Sequence, residues 1–301
     1  RGDYAVDEKK KTVGVLEKAV AIDPSLADAL FELVMVKRLA ADWAGLARHT
    51  DAIRSLIRRT DDGAISLHAL SLVDDPATHR RASRAYVRSR WPGREAPHRL
   101  EAGSAPANRQ GLARSDRPLR VGYFSSDFGN HPVGYAIAGF IAAHDRKRVV
   151  PHAFALSRGD GSGFRQAITQ AFDHWHSVDS TPAIEIARKA RELEIDIAVD
   201  LNGHTAGART PIFIERAAPI QINYLGFPAT MGAACIDYLV ADRFVIPPGA
   251  DEHYDEKLVR LPGAYLPNDL AREATGAAPA RAGQGLPDSG FVFASFNTVN
   301  K

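Results

Sequence analysis

Cysteine is almost missing from this chain. Cys235 is the only one in 301 residues, so neither an intrachain disulfide nor a cysteine zinc site can form, and a reducing compartment is the default. No run of about 18 apolar residues occurs, so no membrane-spanning helix is expected. The N-terminal stretch is polar and carries no signal-peptide core. Charge of one sign is also missing: the formal net charge of +2 demands neither nucleic acid nor a membrane surface as partner. The eleven histidines are dispersed, with no spacing that groups them with carboxylates as a zinc site requires. No Ser-His-Asp order with a nucleophile elbow is visible. What is present is ordinary for a globular protein, 45% hydrophobic and 25% charged, in a chain long enough for two domains.

Residues 8–58 have helical periodicity. Val13, Leu16, Ala19, Val20 and Ile22 form one stripe, which Asp23-Pro24 breaks. Ser25 is placed to cap a second helix with the stripe Leu26, Leu30, Leu33, Val34 and Val36. A third starts near Asp42-Trp43 and carries Leu46, Ile53, Leu56 and Ile57. The phrase LEKAVAIDPSLADALFEL resembles the junction between two tetratricopeptide repeats, the other reading being an ordinary helical subdomain. Such repeats are stable only in arrays of about three or more. Only the end of one and a degenerate second are legible, and the chain opens on Arg1, so a longer N-terminal side is expected.

Residues 61–117 look like helices followed by a linker, with Glu101 to Asp116 rich in Ala, Gly, Ser, Pro and Asn. The stretch from His79 to Arg94 is basic, with Arg84, Arg88, Arg90 and Trp91. In a nearly neutral chain it reads as a solvated helix face rather than a nucleic-acid patch.

From Leu119 the pattern alternates strand and helix, which implies βαβ units and a parallel sheet. Strands are expected at 119–124, 148–156, 173–178, 195–200, 220–224, 238–240 and 258–261, with helices from Val133 and at 164–172, 184–193 and 210–215. Residues 263–290 read as loop, and 291–296 as a new strand. Two strands stop at small, polar loops holding one histidine each: Ser125 to Pro132 with His131, and Leu201 to Thr205 with His204. Loops at the carboxyl ends of parallel strands line the ligand crevice. His131, just before a helix, either caps that helix or serves a reacting centre as base or hydrogen-bonding partner. Asp127 stands where it would cap the helix or bond the loop, and Asp200 and Asn202 where they would orient His204.

SSDFGNHP, DLNGHTAGAR, APIQINYLGFPATMGA-x-x-DY and FNTVNK, in this order, resemble the catalytic region of the protein O-linked N-acetylglucosamine transferases, a group that includes the plant SPINDLY-type proteins and bacterial homologues. The resemblance implies an α/β fold: an N-terminal helical tetratricopeptide-like segment (1–60), a connector and linker (61–117), a Rossmann-like first lobe of a GT-B enzyme (118–288), and the start of a nucleotide-binding second lobe (289–301) whose remainder is absent. It implies His131 and Lys301 as catalytic residues, Lys301 on the diphosphate, and Leu225, Gly226, Pro228, His204 and Asn202 around the substrates. Asn297 would shape the same loop as Lys301. The sequence has His204 and Asn300 where the animal enzymes have tyrosine, which leaves His204 either a structural or an acceptor-groove role.

The activity implied is transfer of N-acetylglucosamine from UDP-GlcNAc to Ser/Thr hydroxyls of proteins, inverting and metal-independent, without a cofactor beyond the nucleotide-sugar donor. The acceptor polypeptide would bind the repeats, and the setting would be cytoplasmic, with no nucleic acid or membrane. Two main alternatives stand beside it, with a related GT-B sugar enzyme such as a nucleotide-sugar epimerase, which the repeat-like N-terminus disfavours, as a weaker third. One is protein O-fucosyl transfer from GDP-fucose, as in SPINDLY-type proteins. The other is a repeat scaffold without catalysis.

Overall fold

The computed structural model describes residues 2–59, 70–93, 117–268 and 279–294. The chain divides into two compact units, residues 1–53 with 270–301, and residues 54–269. Lys301, Asn297 and the 101–116 linker lie outside the described residues.

The first unit is helical. Helix α1 (Gly2–Ile22) and α2 (Ala27–Leu39) pack together, and α3 (Leu46–Arg59) begins in this unit. The α2 stripe buries Leu30, Phe31, Leu33 and Val34. Lys37 is buried with them, its ammonium donating to the partly exposed carboxylates of Glu17 at 2.9 Å and Asp42 at 2.8 Å, so the buried side chain brings its charge to partners at the surface. The cap expected of Ser25 is corrected. The Asp23 carboxylate accepts from the Ser25 backbone N–H and hydroxyl, a tight local turn that outcompetes capping, and α2 starts after Leu26 with no side-chain cap. The strand expected over 291–296 is not formed at 291–294, which are irregular; the rest lies outside the described residues.

The second unit opens with α4 (Pro76–Arg90). Asp75 caps it by accepting from the N–H groups of Ala77 and Thr78, and Pro76 fills the first turn, where a missing N–H costs nothing. A seven-stranded, wholly parallel sheet follows: β1 (Leu119–Ser125), β2 (Val149–Ala155), β3 (His174–Ser177), β4 (Ile197–Asp200), β5 (Ile220–Asn223), β6 (Tyr238–Asp242) and β7 (Lys257–Leu261). Between strands run α5 (Pro132–Ala142), α6 (Gly163–Ala171), α7 (Ala183–Glu192) and α8 (Pro211–Ile214).

Alternation along the central strands feeds two cores. Val121 and Tyr123 of β1 face α5 and α6 through Ile137, Ile141 and Ile168. Phe124 faces the other way, with Phe154 of β2, α7, α8 and Val87 of α4. Phe124 and Phe154 stack with centroids 4.3 Å apart. Burying each such side chain stabilises the fold by roughly 1.5–3 kcal/mol.

The spatial order is β3-β2-β1-β4-β5-β6-β7. The chain therefore reverses its direction of winding between β1 and β4. In open α/β sheets ligands bind at that switch, outside the carboxyl ends of the strands.

Candidate active site

The loops after β1 and β4 meet at this switch, where Phe124 pairs in register with Asp200. Asn202 joins them. Its Oδ1 accepts the Ser126 N–H at 2.8 Å, and its Nδ2 donates to Asp127 Oδ2 and to Ser126 Oγ, both at 2.8 Å. Asn202 has 0% exposure, so these bonds to protein absorb its polar groups and the residue braces the loops. Asp127 does not cap α5; its carboxylate bonds the loop.

The helix cap is His131. Its Nδ1 accepts the Val133 N–H at 3.2 Å, and Pro132 follows at the first helical position. Gly134 lets α5 start here, because a Cβ would lie 2.3 Å from the Gly129 carbonyl oxygen. The loop is held from outside as well. Asp160 accepts the Asn130 N–H at 2.7 Å, a bond that with those from Ser162 pushes its carboxyl down to about 2. The Arg165 guanidinium donates to the Phe128 carbonyl. The His131 side chain is 47% exposed, with Asp127 Oδ2 3.8 Å from Nδ1. With Nδ1 accepting, the neutral ring carries its proton on Nε2 and presents a donor. Turning Nδ1–H toward Asp127 would convert Nε2 into a proton acceptor.

His204 is placed differently. It is buried between the rings of Tyr86 (4.8 Å) and Phe227 (5.1 Å), and its Nε2–H donates to the Met231 carbonyl at 2.7 Å. Nδ1 is buried with no partner, and burial pushes the ring's pKa down to about 4. This ring ties the β4 loop to the chain after β5. Its expected orientation by Asp200 and Asn202 is corrected. Asp200 instead accepts the backbone N–H groups of Asn202 (2.9 Å) and Gly203 (3.0 Å). Wholly buried, Asp200 is raised to about 6 by desolvation, which those two bonds only partly offset.

The loop after β5 contains Leu225, Gly226 and Pro228. The Gly226 N–H bonds the Tyr224 carbonyl at 3.0 Å around Leu225, whose φ is +77°. This is the rare γ-turn of positive φ, a strained geometry for a branched side chain. Gly226 packs on the β4 loop so closely that a Cβ would meet the Leu201 carbonyl oxygen at 1.9 Å. Pro228 is exposed.

The structure thus brings His131, Asn202, Leu225 and Gly226 onto three adjoining loops, with His204 beneath them. Sequence reasoning missed Asp160 and Arg165, which hold the His131 loop from elements 30 residues or more away; no local pattern marks them. Among the described residues no group of three or more His, Cys, Asp or Glu could hold a metal ion. Nor is any described helix long and apolar enough to cross a membrane.

A doubly wound sheet with polar loops converging at its switch defines a Rossmann-like lobe of the kind that forms half of a GT-B glycosyltransferase. Residues 104–275 match the family described as glycosyl transferase family 41. A probable UDP-N-acetylglucosamine–peptide N-acetylglucosaminyltransferase SEC of Arabidopsis thaliana is 35% identical over 86% of this chain. A UDP-N-acetylglucosamine–peptide N-acetylglucosaminyltransferase of Caenorhabditis elegans is 38% identical over 51% of it. The chain spans 28% and 14% of those two proteins. The solved structure of a mutant O-GlcNAc transferase from Thermobaculum terrenum superposes with a TM-score of 0.66 at 30% identity, covering 88% of this chain and 50% of that one. The chain belongs to glycosyl transferase family 41.

Proposed function

We propose that this protein transfers N-acetylglucosamine from UDP-GlcNAc to Ser/Thr hydroxyls of proteins, with inversion and without a metal. The observation that carries the reading is the His131 loop, braced by Asn202 at the switch of a family 41 lobe. Such transfer needs the sugar held, the acceptor proton removed and the diphosphate stabilised. The small, strained turn at Leu225-Gly226 lets backbone approach a sugar closely. His131 offers a half-exposed ring nitrogen to the reacting centre, and Lys301 would neutralise the diphosphate. The acceptor polypeptide would lie along the N-terminal helices, in a cytoplasmic setting. The names of the relatives support the donor.

Calorimetry on the full-length gene product tests this, with UDP-GlcNAc and GDP-fucose titrated separately into wild type and Lys301→Ala. Binding of the uridine donor, weakened by the substitution, is expected. Binding of the guanosine donor alone would move the assignment to fucosyl transfer. Binding of neither would favour a scaffold.

A further inference from the structure

The chain between β1 and α5 is tightly wound as it approaches His131. The Gly129 N–H donates to the Asp127 carbonyl at 2.9 Å, and the His131 N–H to the Gly129 carbonyl at 2.7 Å. These are two successive γ-turns, centred on Phe128 and on Asn130. Such bonds set the shape of the loop but leave its attitude toward the crevice to anchors from other elements. Asn202 holds Asp127, and Arg165 holds the Phe128 carbonyl. The anchor nearest the histidine is Asp160, whose Oδ2 accepts the Asn130 N–H at 2.7 Å. Packing agrees with this bond: a Cβ on Gly129 would lie 2.7 Å from the same oxygen, so glycine is what admits the carboxylate. Asp160 Oδ1 accepts the Ser162 N–H at 3.0 Å and its hydroxyl at 2.7 Å, and Ser162 caps α6 by accepting the Arg165 N–H at 3.0 Å. One carboxylate thus ties the turn that carries His131 to the start of α6.

We propose that Asp160 is a positioning residue for the transfer reaction, acting through the Asn130 peptide to aim the His131 ring at the reacting centre, a role that rests on the transferase reading above. Aim is costly to lose: a displacement of about 1 Å at a reacting group can slow turnover roughly a hundredfold. The same bond adds little to stability, because Asp160 is exposed and water can take its place. Rate and stability therefore separate at this residue. The Asn130 N–H, with the bonds from Ser162, pushes the Asp160 carboxyl down to about 2, so it is a charged acceptor at any working pH.

The test measures kcat, KM and melting temperature for UDP-GlcNAc turnover by the full-length gene product, as wild type, Asp160→Ala and Ser162→Ala. Ser162→Ala is the structural control: it removes the α6 cap and one partner of Asp160 but keeps the Asn130 bond. Both variants should melt within about 4 °C of wild type. Asp160→Ala should lose about tenfold or more in kcat with KM for the donor little changed, whereas Ser162→Ala keeps its kcat. Wild-type kcat in Asp160→Ala, or an equal loss in Ser162→Ala, would overturn the proposal. Asp160→Asn covers the case in which alanine misfolds. It keeps the shape but removes the charge, so kcat should fall about threefold, and an unchanged kcat counts against the role. The His131 ring ¹⁵N signals give a readout independent of turnover: they should move in Asp160→Ala and stay in place in Ser162→Ala. A wild type without activity would count against the transferase reading, whereas ring signals that stay put in Asp160→Ala sink the positioning role whatever the reaction.

Discussion

Asn202 Nδ2 and Asp127 Oδ2 lie 2.8 Å apart, so a donor on the loop after β4 holds a carboxylate on the loop after β1. Asn202→Ala would leave the Ser126 N–H without its acceptor and take one of two side-chain donors from the Asp127 carboxylate, which keeps the Ser126 hydroxyl. A loss of about 2–3 kcal/mol in urea unfolding is expected. Asn202→Asp should be worse, because it sets a second carboxylate against Asp127. A loss below about 0.5 kcal/mol in either variant would mean the loops are held by other bonds.

His131 combines a cap with the proposed chemistry, and the two can be separated. Asparagine is among the best caps, so His131→Asn should keep the stability of α5, whereas His131→Ala should lose about 1 kcal/mol. Transfer activity should fall in both. Full activity in His131→Asn would reduce His131 to a cap. Ring ¹⁵N shifts should show the neutral ring protonated on Nε2, since Nδ1 accepts from Val133.

Two buried groups give stability opposite pH dependences. Asp200, raised to about 6, stabilises the fold fully below its ordinary value near 4, and that contribution is lost as pH rises through 6. His204, lowered to about 4, contributes above its ordinary value of 6.5, and its contribution is lost as pH falls through 4. Each is worth roughly 3 kcal/mol across its window. Asp200→Asn should therefore gain on wild type between pH 4 and 7 as pH rises, and His204→Phe should gain as it falls. Parallel pH profiles for all three proteins would refute both assignments.

The turn after β5 should tolerate one glycine and reject the loss of another. Leu225→Gly relieves a positive φ worth about 1–3 kcal/mol while forfeiting some apolar contact, so stability should change little or rise. Leu225→Val should lose at least about 1 kcal/mol because branching at Cβ aggravates the strain. Gly226→Ala drives a methyl into the Leu201 carbonyl and should cost about 3 kcal/mol or more. Thermal unfolding of the three variants gives the ranking, and a silent Gly226→Ala would mean the β4 and β5 loops are not in contact.

The sheet was largely legible before any coordinates. Runs such as Arg120 to Phe124 and Ile195 to Asp200 are short, apolar and punctuated by polar loops, so their strands emerge within two residues of expectation. The position of His131 in a loop at the carboxyl end of a strand followed from the same punctuation, whereas the switch point beside it came only with the strand order. What local pattern could not supply was partnership over distance. His204 looks like His131 in sequence, each being one histidine in a small-residue loop. Only packing shows it enclosed by Tyr86, from a helix more than 100 residues earlier, and by Phe227. Ser25 failed as a cap for the opposite reason: a stronger acceptor, Asp23, stood two residues away. The basic face of α4 read as solvated. Its Arg80 and Arg84 are tied to Asp255, about 170 residues downstream.

The strand order also sets a schedule for assembly. β1 is made first among the strands, yet β4, its neighbour on one side, arrives some 75 residues later. A chain emerging from the ribosome therefore carries β1 with that edge open until Asp200 has been synthesised. Pairings of such long sequence separation form slowly, and an open apolar strand is an invitation to the wrong partner. The crevice that β1 and β4 share cannot exist before that closure, so the nascent lobe is most vulnerable to aggregation just before its site appears.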